Sequence, residues 1–277
     1  MILLAILGLA GFPLQARTGF TLGLAENFAV LAGSTVTNTG PTVINGGSVG
    51  VSPGSAVTGF PPGIVSPPYT IHAADAAAQM AQNDLTTAYN ILAGFSPTQN
   101  LTGQDLGGLT LVPGVYIFSS SAQLTGTLTL NAQGNPNAQF FFQIGSTLTT
   151  ASDSSIVTIN GGSMPGCNVF WQVGSSATLG TGTAFEGNIL ALTSITLNTD
   201  ATIMNGSALA RNGAVTLDSN TIDDNCTSAK SVNATPVPPS MTLGLVAAAL
   251  LMLPIAMKRL RGGSTRGDTA LNAQAAA

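Results

Sequence analysis

Residues able to do acid–base, nucleophilic or metal chemistry are sparse in this 277-residue chain, and their spacing argues against an active site. The single histidine, His72, would have to serve any Ser-His-Asp relay, and no Gly-x-Ser-x-Gly nucleophile turn accompanies it. We read it as a polar contact at the start of a helix. The one adjacent carboxylate pair, Asp223-Asp224, could touch a Ca²⁺ ion, but a solvated turn is the expectation, and no metal or cofactor is called for. Glu186, Asp200 and Arg211 could become neighbours in a repeating fold, as a glycan-cleaving site would require. Three charges on so long a chain are too few, so no catalytic residue and no small-molecule substrate are expected. Cys167 and Cys226 are the only cysteines; in an exported protein they would pair, and two buried free thiols are the alternative.

Charged residues make up 6% of the chain, far below the usual quarter. Between Thr18 and Ala229, Arg211 stands alone against ten carboxylates. A nucleic-acid binder needs a cationic patch to displace counterions from phosphates, and none is present. Nor does any apolar run in this middle region approach a membrane span, because Gly, Asn and Thr interrupt it every few residues. Thr is abundant, at 34 residues, and its β-branch favours strands. These features describe a water-exposed β-structure with a neutral hydroxyl and amide surface.

The termini read differently. Residues 1–17 begin with an apolar run, Met1–Ala16, like the hydrophobic and cleavage regions of a secretory signal; a buried N-terminal strand or helix is the alternative. Residues 230–240 form a Pro-rich linker. Met241–Met257 carries no charge and is followed by Lys258, Arg259 and Arg261. Residues 241–261 therefore form a separate hydrophobic helix with a basic stop, either a membrane tether or a processed sorting signal, and 262–277 a flexible tail. The expected location is extracellular or at the cell surface.

Between them, residues 18–229 carry an internal repeat. Phe185, Gly187, Leu190 and Ala191 recur 19 residues later as Met204, Gly206, Leu209 and Ala210. The triplet Ala177-Thr178-Leu179 returns as Ile195-Thr196-Leu197 and Val215-Thr216-Leu217. A period near 19, cut into short strands by Gly, Asn and Asp turns, predicts a β-solenoid. Leu109–Phe118, Leu124–Leu130 and Gln139–Leu148 supply further strands. In Ile71–Leu92, apolar residues at intervals of three or four predict one α-helix, preceded by Pro67-Pro68 and ended by Gly94, lying along one side of the solenoid.

On successive coils, Thr181-Gly182-Thr183-Ala184, Thr199-Asp200-Ala201-Thr202 and Ser219-Asn220-Thr221 occupy equivalent places. Thr37–Thr42 has the same character. Stacked short hydroxyl and methyl groups suit a neutral, periodic ligand such as ice: Thr is stiff at χ1 and loses little entropy on binding. The competing reading is that such ladders only stabilise a sheet, as in a surface or matrix structural module.

From Leu22 to Cys226 the chain resembles the microbial ice-binding proteins that fold as a discontinuous β-solenoid. Leu22–Gly63, the Asp75–Tyr89 helix, Leu106–Thr150, Asn168–Thr199 and Ala208–Ile222 carry the resemblance, in family order. It implies a mainly β, right-handed, three-faced solenoid with a long helix alongside, a non-enzymatic role, and ice bound through one flat face bearing T-A/G-x-T/N-like motifs. Thr39-Gly40-Pro41-Thr42 matches that motif; Thr181–Ala184 departs at its last position, Asp200 interrupts Thr199–Thr202, and Ser207 stands where Arg is common. The candidate ice contacts are Thr39, Thr42, Thr181, Thr183, Thr199, Ala201, Thr202, Ser219 and Thr221.

Overall fold

The computed structural model describes residues 20–161 and 165–226. The expectations for residues 1–17, the linker 230–240, the hydrophobic helix 241–261 and the tail lie outside these residues. Within them the chain winds through three parallel sheets, visited in the order A, B, C and back to A. Sheet A has nine strands, B seven and C eight. Gly and Pro mark the corners. The run Leu124–Leu130 divides at Gly126 (φ +84°) into Ala122–Leu124 on sheet B and Thr127–Asn131 on sheet C. A side chain at that φ would be strained, so the glycine is what lets the chain turn there.

The solenoid is discontinuous. The first coil, Phe28–Ala32, Thr35–Thr39 and Val43–Asn45, stacks on the last, Ala208–Ala210, Val215–Asp218 and Thr221–Asp223. A second coil lies outside the first and ends in Ile71–Ala73, at one edge of sheet A. The helix α1, Ala76–Ala93, then carries the chain back towards the opposite edge, at Gln99–Asn100. Eighteen helical residues span about 27 Å and a nine-strand stack about 38 Å, so helix and flanking turns bridge the distance.

The predicted helix is thus present but starts later. Ile71–Ala73 is an edge strand, and Asp75 caps the helix by accepting the Ala78 N–H (2.9 Å). That bond, together with His72 Nδ1 at 2.7 Å, holds the Asp75 carboxyl below its ordinary pKa. His72 therefore makes the helix-start contact expected of it.

The helix buries Ala78, Ala81, Leu85, Ala88 and Leu92 against Leu31, Leu190, Leu209, Phe141 and Phe170, on the outer side of sheet A. The small residues let helix and sheet approach closely. Polar pins fix the pose. Gln82 donates to the Ala210 carbonyl (3.0 Å), Tyr89 to that of Val173 (3.2 Å), and Gln143 to the helix-end carbonyls of Leu92 and Phe95 (2.7 and 2.8 Å). Inside the solenoid, Phe142 and Trp171 stack at 3.8 Å between ring centroids, flanked by Tyr116 and Phe185. Cys167 and Cys226 are joined in a disulfide closing a 59-residue separation, which in the chain-entropy picture stabilises by at most about 4 kcal/mol.

Candidate functional site

With α1 lying on sheet A, sheets B and C have no helix against them among the described residues. On sheet B the backbone alternation turns Leu148, Ala177, Ile195, Val215 and Val36 into the core and their neighbours outward. The outward neighbours are in register: Gln123, Thr149, Thr178, Thr196, Thr216, Thr37 and Thr58 form a single row. Six consecutive rungs are threonine. Two residues earlier on each rung a second row runs Ser121, Thr147, Ser176, Ser194, Ala214, Thr35 and Ala56, all at least partly exposed. Rungs repeat at about 4.8 Å and the two rows lie about 6.6 Å apart. Neither row carries a charge over these seven rungs; the flanking carboxylates are Asp105, bridged to Gln123 at the end of the row, and Asp218, two residues past Thr216. One hydrogen bond links hydroxyls along the threonine row, Thr37 to Thr216 at 3.4 Å, which leaves the donors and acceptors of Thr178 and Thr196 open to water.

The sequence-predicted contacts lie elsewhere. Thr39 ends the sheet B strand Thr35–Thr39, exposed two residues beyond the row and in register with Asp218; Thr181, Thr199 and Ser219 sit on the edge between sheets B and C, and Thr202 and Thr221 belong to sheet C beside Val43 and Ala184. Thr42, Thr183 and Ala201 have no accessible surface and cannot touch an external lattice. Their hydroxyls and methyl fasten the corner from inside. Thr42 accepts the Asn220 N–H (3.0 Å). Thr183 is hydrogen-bonded to Thr150 (2.7 Å) and donates to the Ala151 carbonyl (3.2 Å), while Thr150 accepts the Gly180 N–H (2.9 Å). Thr183→Val keeps the shape and deletes these bonds. It is expected to cost about 1–2 kcal/mol, read as a lower thermal midpoint, while leaving the surface activity of the folded protein unchanged.

Sheet C is chemically mixed. Its second row places Glu186, Met204 and Asp223 in register, and Val157 and Ile159 stand exposed on the neighbouring strand. Burial pushes the Glu186 carboxyl above its ordinary pKa, despite the Thr158 hydroxyl donating to it at 2.7 Å. A carboxyl whose folded pKa is raised adds stability while protonated, and loses it as pH rises through that value. Glu186→Gln should therefore raise the thermal midpoint at neutral pH and give no advantage below the ordinary value of 4.5. An equal gain at both pH values would contradict this.

Glu186, Asp200 and Arg211 do not converge. Glu186 lies on sheet C and Asp200 on the B–C edge, while the Arg211 guanidinium sits 4.6 Å over the Tyr89 ring near the A–B edge. Among the described residues no cluster of three metal-ligating side chains occurs.

The sheet B row was visible in the sequence as the repeated apolar-Thr-apolar triplet around Thr178, Thr196 and Thr216. The triplet marks the coil period, and its middle residue faces outward in one row only once the coils are stacked. Thr37, Thr58 and Thr149 join the row only through stacking across sequence separations that no local pattern reveals.

Comparison with known proteins gives a consistent picture. A family model described as ice-binding-like matches residues 30–223. An ice-binding protein of Nostoc sp. strain HG1 is 57% identical over 265 residues, covering 95% of this chain and 96% of that protein. One from Colwellia sp. is 36% identical over 215 residues, covering 73% and 82%. The crystal structure of an ice-binding protein from the Antarctic ascomycete Antarctomyces psychrotrophicus superposes with a TM-score of 0.69 at 43% identity, over 74% of this chain and 98% of that one. An ice-binding protein from an Arctic yeast, studied for its antifreeze activity, gives 0.66 at 32% identity, over 74% and 94%.

Proposed function

The chain belongs to the ice-binding-like family, and from that premise we propose that it adsorbs to ice through the two hydroxyl rows of sheet B. It is an ice-binding protein without enzymatic chemistry. The observation that carries the choice of face is the run of six in-register threonines, with carboxylates only at its margins, at Asp105 beyond Gln123 and at Asp218. Ice is neutral, periodic and made of the solvent itself. A carboxylate facing it would keep its own hydration shell and disturb the lattice, as Glu186 and Asp223 would on sheet C. Threonine orders water at its hydroxyl while its methyl excludes it, and its χ1 is already restricted. Strand spacing sets the array in one direction and residue spacing in the other, so the protein meets the crystal with little entropy left to lose.

Protein held at many points on a growing crystal forces the front to curve between them, which slows growth and recrystallisation. The test is thermal hysteresis and recrystallisation inhibition of the folded protein. We expect a freezing gap and faceted crystals. A folded sample that neither shapes nor slows ice would remove the proposal.

We further propose that the domain works outside the cell, tethered or sorted through Met241–Met257 and the basic residues after it. The Cys167–Cys226 bond supports this, since disulfides persist in oxidising compartments. Mass spectrometry of the native protein distinguishes a retained hydrophobic segment from a processed one.

A further inference from the structure

Sheet B is not equally wide along its length. The strands Ala122–Leu124, Leu148–Thr150, Ala177–Leu179, Ile195–Leu197 and Ala56–Thr58 have three residues each, whereas Thr35–Thr39 has five and Val215–Asp218 four. The two longer strands are the neighbours that stack the first coil on the last, in register from Val36 opposite Val215 to Thr39 opposite Asp218. Here the outward alternation continues past the threonine row. Thr35, Thr37 and Thr39 all turn out of one strand, and Thr39 is exposed. A third outward position therefore exists on these rungs, about 6.6 Å beyond the row.

Asp218, itself partly exposed, fills that position with a charge. Its carboxylate accepts the hydroxyls of Thr199 and Ser219, and its N–H donates to Asn220 Oδ1 at 2.6 Å. Among the described residues Arg211 is the only arginine or lysine, and its guanidinium lies over the Tyr89 ring of α1, so it does not neutralise Asp218. Asp105 is placed differently. It bounds the array at its end, beyond Gln123, and its carboxylate is taken up by the N–H groups of Gly107 and Thr125 and the Thr125 hydroxyl. Asp218 stands alongside the array, two residues from Thr216 and opposite Thr39.

We infer that Asp218 sets the width of the ice contact: its charge holds the lattice to two rows where the sheet is wide enough for three. This rests on sheet B being the ice face. A carboxylate without a cation keeps its hydration shell, because stripping it costs more than a few hydroxyl contacts return. Those waters stand where the lattice would have to reach Thr39, the residue in register beside it. Thr39 is thus outside the contact, although it is an exposed threonine on the same strand as Thr37. The hydrogen bonds from Thr199 and Ser219 meanwhile fasten the B–C edge, so the position exchanges ice contact for stability.

The experiment measures thermal hysteresis and thermal midpoint of the full chain, solubilised, in Asp218→Asn, Thr39→Ala and the double variant. Asparagine keeps the shape and an acceptor for the Thr199 hydroxyl but removes the charge. We expect Asp218→Asn to raise hysteresis about twofold while lowering the midpoint by about 2–4 °C. Thr39→Ala alone should leave hysteresis unchanged, and in the double variant it should remove the gain. That non-additivity is a readout that a merely structural role would not produce. Asn198→Asp, at an exposed position two residues past Thr196, adds a carboxylate without touching the Asp218 hydrogen bonds, and should lower hysteresis about twofold at an unchanged midpoint. Hysteresis that is unchanged or reduced in Asp218→Asn, unchanged in Asn198→Asp, or equally sensitive to Thr39→Ala in both backgrounds would overturn the inference. Full activity in Thr196→Tyr, measured alongside, would instead overturn the choice of sheet B on which it rests.

Discussion

Thr196→Tyr is expected to reduce thermal hysteresis by about tenfold or more, while stability changes by no more than a surface substitution usually produces, about 0.5 kcal/mol. Thr196 is the fourth of seven rungs, flanked in register by Thr178 and Thr216. Its neighbours Ile195 and Leu197 face the core, so its own side chain must face out. A tyrosine ring there stands several ångströms proud of a face whose other groups are hydroxyls and methyls. It would hold the lattice off the rungs on both sides, and interactions that fall away within an ångström or so are then lost together. The matched control is Thr202→Tyr, at a partly exposed position on sheet C, which should leave hysteresis unchanged. Loss of activity in Thr202→Tyr with full activity in Thr196→Tyr would move the ice face to sheet C.

The second large effect is on stability. Trp171→Ala is expected to cost about 3–5 kcal/mol, lowering the thermal midpoint by about 6–20 °C for a domain of this size. Trp171 is fully buried, stacked on Phe142 with ring planes 6° apart, and its indole N–H donates to the Glu186 carbonyl at 3.1 Å. Truncation opens a cavity inside the coil and strips that carbonyl of its donor. Neighbouring coils are linked by strands of three to five residues, so they have little capacity to collapse into the space. Trp171→Phe, which keeps a ring in the stack, should recover much of the loss. Circular dichroism is the suitable probe, because Trp171 is the chain's only tryptophan. A loss below about 1 kcal/mol in the alanine variant would mean that the stack contributes little.

Several elements of this architecture were legible in local pattern. The 19-residue recurrence identified coils, since a stacked strand must repeat its inward residues at the coil period. Alanines at helical spacing in Ala78–Ala88 identified the buried face of α1, although the start was placed at Ile71 and the helix begins at Ala76. The short Ile71–Ala73 segment pairs with Ser48–Val51, and that edge pairing takes residues a lone helix would have claimed. The runs Gln139–Leu148 and Leu109–Phe118 each divide between two sheets, Phe140–Ile144 from Leu148–Thr150 and Thr110–Leu111 from Gly114–Phe118. The corners fall at Pro113 and at residues 145–147 inside these runs, where turn residues interrupt the apolar pattern.

The hydroxyl positions were harder. In the Thr-Gly-Thr-Ala segment, alternation does not hold, because the chain is turning. Thr183 goes inward, donating to the Ala151 carbonyl and bonding the Thr150 hydroxyl that accepts the Gly180 N–H, and Thr181 goes out. Density of threonine in the sequence thus marked an edge, whereas the row proposed to bind takes one threonine per coil.

By itself the chain's composition and periodicity determined a nearly uncharged, threonine-bearing solenoid with one alanine-faced helix and one available pair of cysteines. Those are properties of residue type and spacing, which act locally. Only the tertiary structure decided which hydroxyls share a face, because that depends on where each corner falls and on the first coil stacking against the last, 179 residues away at Thr37 and Thr216. The same stacking put the last described strand, Thr221–Asp223, inside sheet C beside Val43–Asn45, a placement that no local pattern specifies.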